Sequence, residues 1–171
     1  LKLGLRGNTA VNAPLANDAG AVLRLEGANA LGTANITVAN GFTNAGTIEM
    51  SDIDSTWSSF LNVTNGTLTN TGVIDVQLGA NGARQINAEI SNQGTITIGK
   101  DCSTNRSGAD HANSGTLNVN NGVYTIFGTG ATPSFSNTGA INIATGRQIL
   151  IRDQTVNLNA GSTYPGTGLI S

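Results

Sequence analysis

A nine-residue motif recurs along this chain. FTNAGTIEM at residues 42–50 returns as LTNTGVIDV at 68–76 and as ISNQGTITI at 90–98. Two further copies occupy residues 111–119 and 135–143, and a degenerate copy with one inserted residue occupies 15–23. Aligned on their Asn, the five regular copies lie 26, 22, 21 and 24 residues apart. Internal repeats of this length indicate a stacked architecture in which each repeat is one structural unit.

Each copy ends in a segment that alternates apolar and polar residues, as in Ile48-Glu49-Met50 and Ile74-Asp75-Val76. Period-two alternation predicts a strand with one face inward, and it excludes the helical repeats. Since 22 Asn, 22 Thr and 23 Gly dominate the composition, long helices are disfavoured as well. A propeller blade needs about 40 residues, whereas about 23 suit one coil of a β-solenoid. The sequence therefore predicts an all-β solenoid of about 6–7 coils, each of 21–26 residues.

The Asn-x-Gly of each copy predicts a corner between strands, because Asn and Gly enter left-handed backbone conformations most readily. In stacked coils the equivalent Asn side chains lie one above another, and their amides can donate and accept along the stack. The predicted ladder consists of Asn44, Asn70, Asn92, Asn113 and Asn137. The predicted turn glycines are Gly46, Gly72, Gly94, Gly115 and Gly139.

The strings TNAGTI, TNTGVI, SNQGTITIG and NSGTLNV, spread over most of the chain, resemble the repeats of bacterial surface-exposed β-helical proteins. These are the passenger regions of autotransporter adhesins and the filamentous-haemagglutinin-like exoproteins. The resemblance implies a right-handed parallel β-helix, export to the bacterial cell surface or the extracellular space, and adhesive or scaffolding work. It does not identify a ligand, and for adhesive work we expect host or cell-surface glycans or proteins as partners.

Charge and hydropathy exclude two classes of partner. The net charge is −2 and the basic residues are scattered, whereas binding of nucleic acid needs a concentrated positive face. No apolar stretch approaches the length that spans a bilayer, so we expect no transmembrane segment. Residues 1–171 are expected to form a single β-solenoid domain or segment. Its open coil ends favour either a longer solenoid or association with further copies of the chain, end to end or laterally.

Four carboxylates are the candidates for a metal site. Glu49 and Asp75 occupy the same outward position in adjacent coils, and Asp52 and Asp54 follow closely, so oxygen ligands for Ca²⁺ are conceivable. The same position continues as Thr97, Asn118 and Asn142, which favours a solvated outer face. We therefore expect neither a bound metal nor a cofactor.

Two irregular segments are candidates for contact or chemistry. DIDSTWSSF, residues 52–60, lengthens its coil and carries Trp57 and Phe60, which could contact a partner or pack over the solenoid edge. Residues 100–115 are the most polar segment and hold Cys102 and the single His111. A metal site would require several convergent ligands, and His111 replaces the apolar residue of the motif. We expect it to stack in its coil rather than to catalyse.

The sequence favours a non-enzymatic structural or adhesive segment. A self-assembling extracellular filament subunit, stacked head to tail through open terminal coils, is the first alternative. A β-helix enzyme acting on glycans would need a groove with a column of Asp, Arg and Lys. An ice-binding protein would need Thr-x-Thr at one site of every coil, whereas Thr67-Leu68-Thr69 and Thr95-Ile96-Thr97 fall at different sites of the motif.

Overall fold

The computed structural model describes residues 1–54 and 56–171. Ser55, within the segment DIDSTWSSF, lies outside the described residues. The regular secondary structure of the described chain consists of strands alone. The strands are β1 (Lys2–Leu5), β2 (Asn8–Val11), β3 (Ala16–Asn17), β4 (Val22–Gly27), β5 (Ala34–Asn44), β6 (Thr47–Asp52), β7 (Ser59–Asn70), β8 (Val73–Val76), β9 (Arg84–Asn92), β10 (Thr95–Ile98), β11 (Cys102–Ser107), β12 (Asp110–Asn113), β13 (Thr116–Val119), β14 (Val123–Thr129), β15 (Ser134–Asn137), β16 (Ala140–Ile143), β17 (Gln148–Arg152), β18 (Thr155–Leu158) and β19 (Leu169–Ile170).

The strands stack into a parallel β-solenoid of about seven coils. Each coil contributes one strand to a seven-stranded sheet of order β1-β4-β6-β8-β10-β13-β16, which we call the first face. The rest of each coil runs through a twelve-stranded sheet, first along a second face and then along a third. In coils two, three and four, the single strands β5, β7 and β9 run along both of these faces. The other coils use two strands there, such as β11 and β12 in coil five.

All pairings between these strands are parallel, and the repeats of the sequence lie in register. The all-β class and the solenoid predicted from the sequence are confirmed. Segments between the motif copies are strands as well: residues 36–38 lie within β5 and residues 61–63 within β7. The final strand of the chain, β19, pairs with β17.

The core is a set of apolar stacks inside the coils. Strand β9 shows the rule, since its side chains alternate between buried and half-buried along its whole length. Full burial of one Leu or Ile side chain contributes roughly 1.5–3 kcal/mol, so each coil adds a similar increment of stability. One such stack on the first face comprises Leu23, Ile48, Ile74, Ile96, Leu117 and Ile141.

Candidate functional site

Six asparagines form a continuous hydrogen-bond ladder at the corner where the third face turns into the first. The Nδ2 atoms of the first five donate to the Oδ1 of the next Asn at 2.6 to 2.7 Å, and all six side chains are buried. All six also donate to a backbone carbonyl at 3.0 to 3.3 Å, which fixes the orientation of the amide. The predicted ladder is confirmed, and it begins one coil earlier than expected. Its members are Asn17, Asn44, Asn70, Asn92, Asn113 and Asn137.

The motif glycines lie in these corners for a reason that differs from the prediction. Gly46, Gly72, Gly94, Gly115 and Gly139 all lack a left-handed φ. A Cβ on Gly94 would instead come within 3.0 Å of the carbonyl oxygen of Gly72 in the preceding coil, and the other four positions are as tight. Glycine is therefore required by the close approach of two backbones. Left-handed turns occur elsewhere, as at Gly66 and Gly122.

Glu49 and Asp75 are neighbours in register on the outside of the first face, as the sequence predicts. Arg24 stands beside them in coil two, and its Nε donates to Glu49 Oε2 at 2.6 Å. That hydrogen bond, together with the negative charges of Glu49 and Glu26, raises the pKa of Arg24. Glu49 therefore belongs to an ion-pair network on the outer surface, whereas Asp75 accepts a hydrogen bond from Gln77 Nε2 at 3.0 Å.

Asp52 was a candidate metal ligand, and the structure places it in a different role. Its carboxylate accepts hydrogen bonds from the backbone N–H groups of Ala80, Asn81 and Gly82 at 2.8 to 2.9 Å. It also pairs with Arg84, and both side chains are fully buried. Burial opposes the charged carboxylate, but these N–H groups and Arg84 lower the pKa of Asp52 below its usual value. An oxygen surrounded by donors has no lone pair for a cation, so Asp52 is the buried partner of Arg84 rather than a metal ligand.

The other carboxylates do not complete a metal site. Asp54 Oδ1 accepts the backbone N–H of Asn29 at 2.8 Å, in the loop of the preceding coil. Across residues 1–54 and 56–171, no group of three or more His, Cys, Asp or Glu side chains is arranged to hold a metal ion.

Arg84 is the most important residue that the sequence reasoning missed. It lies in an interior stack between Ser59 and Cys102, and its Nη1 donates to the carbonyl of Gly82 at 2.7 Å. A signal for it existed, since Arg84, Ile86, Ala88 and Ile90 alternate with polar residues as in the other strands. Reading that alternation would have placed an arginine inside the solenoid and demanded a buried acid as its partner.

The segment around Trp57 is shorter than predicted. Strand β6 ends at Asp52 and β7 begins at Ser59, so Phe60 lies in a strand, half-buried, between Asn35 and Gln85. Trp57 is 40% exposed and donates its indole N–H to Asn29 Oδ1 at 3.1 Å. The tryptophan is therefore hydrogen-bonded to the loop of coil two, and part of its ring stays exposed and available to a partner.

Residues 100–115 form β11, β12 and their connections rather than a catalytic cluster. Cys102 is buried, and this burial raises the pKa of its thiol to about 12, so the thiolate nucleophile is suppressed. His111 is buried in the inward stack next to Phe135, as expected from its place in the motif. An open groove of about 410 Å³ crosses coils four to six beside Cys102. At this groove, Lys100 is already bonded to the Ala80 carbonyl, and Asp101 to the Val123 N–H.

The outer surfaces carry further asparagine contacts that the sequence reasoning did not identify. On the second face, amides link Asn8, Asn35, Asn62 and Asn87 from coil to coil at 2.7 to 3.2 Å. On the first face, Asn142 donates to Asn118 at 2.7 Å. Here Thr95 and Thr97 are followed in register by Thr116 and Asn118, so Thr-x-Thr does not continue into the next coil. Both faces therefore carry polar side chains in register from coil to coil.

No helix within the described parts of the chain is long and apolar enough to cross a membrane. No protein-family model, curated protein or solved structure matches this chain.

Proposed function

We propose that this chain is a non-enzymatic structural or adhesive segment of a secreted or surface-exposed bacterial β-solenoid protein. The observation that carries the proposal is the interior ladder of six asparagines. Buried polar side chains in this region bond from coil to coil, and this arrangement favours a rigid rod. The polar outer faces then supply a broad contact surface for glycans or proteins.

Adhesion is tested with the purified protein on fluorescent beads, presented to arrays of surface glycans and to host cells. We expect beads to be retained on at least one of these surfaces in a saturable manner. Beads that carry the Trp57→Ala variant, which removes an exposed aromatic ring, serve as the comparison. Retention on none of them contradicts the adhesive role. New reducing ends released from polysaccharides during incubation would overturn the non-enzymatic assignment.

A filament subunit is the second candidate, and exposed apolar residues at the two ends of the solenoid favour it. Leu1 and Leu3 are 97% and 50% exposed at one end, and Leu158 and Leu169 are 52% and 56% exposed at the other. Open strand edges with apolar side chains invite pairing with another chain. Electron microscopy distinguishes the two, because single rods of seven coils would be about 34 Å long, whereas stacked copies would form fibres. A strict monomer in light scattering at high concentration contradicts the filament.

A further inference from the structure

The corner between the second and third faces is shorter in coil four than in its neighbours. Between β7 and β9 the register passes from Asn62↔Asn87 to Thr67↔Glu89, so residues 63–66 of coil three face Ala88 alone. Coil five lies on the other side of coil four, and there residues 105–111, between the paired parts of β11 and β12, face residues 87–90 of β9. We call this short corner of coil four, residues 87–90, the coil-four notch.

Charged side chains bridge the notch. Arg106 of coil five donates through Nη1 to the carbonyl oxygens of Val63 and Gly66 in coil three, at 2.5 and 3.3 Å. Glu89 accepts from Thr67 Oγ1 at 2.5 Å and from the backbone N–H of Asp110 at 3.3 Å. Three successive coils are thus held together at one corner by side chains rather than by a continuous strand ladder.

His111 lies inside this corner and takes part in the same seam. Its Nδ1 accepts the backbone N–H of Ile90 at 3.3 Å, while its Nε2 is buried and finds no partner among the described residues. The ring is 4% exposed and occupies the place that Phe42, Leu68, Ile90 and Phe135 take in other copies. Because Nδ1 accepts, the neutral ring carries its proton on Nε2. A titratable side chain thus occupies a position that is apolar in the other copies, and its neutral form joins coil five to coil four.

We propose that His111 is an acid-operated latch, and that a proton on its Nδ1 releases coil five from coil four at the coil-four notch. Protonation turns the acceptor of the Ile90 N–H into a donor, so two N–H groups then point at each other. The imidazolium has no acceptor inside the stack, and a buried charge without a partner is strongly disfavoured. The ring and residues 106–111 therefore move outward to water.

The surrounding charges set the pH at which the latch opens. Burial is the largest effect and lowers the pKa of His111 to about 4. Glu89 on β9 and Asp110 on β12 favour the cation, whereas Arg106 on β11 opposes it. Strand β15, which packs on β12, carries no titratable side chain. The usual pKa of histidine is 6.5. The closed form therefore keeps its full stability above pH 6.5 and loses stability as the pH falls towards 4.

The test is hydrogen–deuterium exchange at residues 86–92 and 104–113, at pH 7 and pH 4, corrected for the intrinsic exchange rate. Opening exposes His111 with its usual pKa, so the local opening constant should rise roughly 100-fold between these pH values. His111→Phe supplies the residue used by other copies and should abolish this rise. His111→Gln retains an acceptor without a titration, and it serves where the phenylalanine variant fails to fold.

Two outcomes of the exchange experiment overturn the proposal. In one, both variants that fold show the same acid-dependent opening as the parent protein. In the other, exchange rises equally at the seam between β13 and β16, which would indicate global acid unfolding through carboxylates such as Asp52. A proton NMR titration of the His111 ring gives an independent readout, and a pKa near 6.5 in the folded protein would also refute the latch.

Discussion

Replacement of Asn92 by alanine removes the middle of the interior ladder. Asn92 accepts from Asn70 Nδ2 at 2.7 Å, donates to Asn113 Oδ1 at 2.6 Å, and donates to the Thr116 carbonyl at 3.1 Å. In Asn92→Ala, Asn70 keeps its bond to the Thr95 carbonyl, but Asn113 Oδ1 loses its donor in a buried site. The substitution therefore leaves unpaired polar atoms on both sides of a small void.

The magnitude follows from the groups left without partners. A buried donor or acceptor that loses its partner costs about 1–3 kcal/mol. Asn70 and Asn113 each lose a hydrogen bond, and together with the void these losses lower the free energy of unfolding by about 3–5 kcal/mol. That is a large fraction of the stability of a domain of ordinary size.

Urea denaturation followed by circular dichroism measures this loss, with the free energy of unfolding obtained by linear extrapolation at constant slope. Asn142→Ala is the matched control, because Asn142 also bonds to an asparagine of the adjacent coil but is only partly buried, on the outer side of the first face. Water can replace that bond, so the control should lose less than about 1 kcal/mol. Equal losses for the two variants would refute the view that the ladder stabilises the stack.

Asn92→Asp separates the hydrogen bonds from the void, since aspartate has nearly the volume of asparagine. The carboxylate can still accept from Asn70 but cannot donate to Asn113. We expect a loss at pH 7 that is as large as that of Asn92→Ala, and a partial recovery of stability in acid, where the carboxyl group is protonated. Wild-type stability for Asn92→Asp at pH 7 would show that only the volume matters.

Three further predictions concern glycine, the buried ion pair and the thiol. Gly94→Ala should destabilise the protein by several kcal/mol in urea denaturation, whereas Gly4→Ala, with open space around its Cβ, should have little effect; equal effects contradict the close-approach argument. Asp52→Asn should cost about 3–5 kcal/mol at pH 7 because Arg84 is left unpaired in the core. The difference from wild type should shrink as the pH falls below 3.8. The stabilisation by the Asp52 charge is complete above this usual pKa, and it is lost as the carboxyl group of the folded protein becomes protonated. Cys102 should resist a maleimide at pH 8 until urea unfolds the chain, as read by mass spectrometry; rapid labelling of the folded protein would contradict the burial of the thiol.

The parts of this fold that could be predicted are those that each coil repeats. The inward Ile48 and Met50 and the ladder Asn44 follow from one local pattern, because stacking places every copy in register. The role of Gly46 was predicted wrongly, since the contact that requires it comes from the backbone of another coil. A local motif identifies a corner but does not contain the distance between coils.

The departures from the repeat were the hardest to interpret. Asp52 looked like a surface carboxylate because its partner, Arg84, lies in the next coil, in the part of β9 that precedes the motif copy beginning at Ile90. Trp57 was singled out from the sequence as a contact candidate, but its hydrogen bond to Asn29 joins two irregular loops whose sequences share no pattern. Contacts between irregular segments of different coils depend on the three-dimensional stacking, which composition and periodicity do not specify.

The side-chain amide dipoles of the interior ladder all point in the same direction along the rod. Every ladder amide donates towards the following coil, so the side-chain dipoles from Asn17 to Asn137 add instead of cancelling. The row begins with the acceptor of Asn17 and ends with the donor of Asn137, which reaches the Tyr164 hydroxyl at 3.4 Å. Aligned amides polarise one another and strengthen the chain of bonds. The two ends of the interior ladder are consequently of opposite polarity, and any coil that extends this row must arrive in the same orientation as the rest.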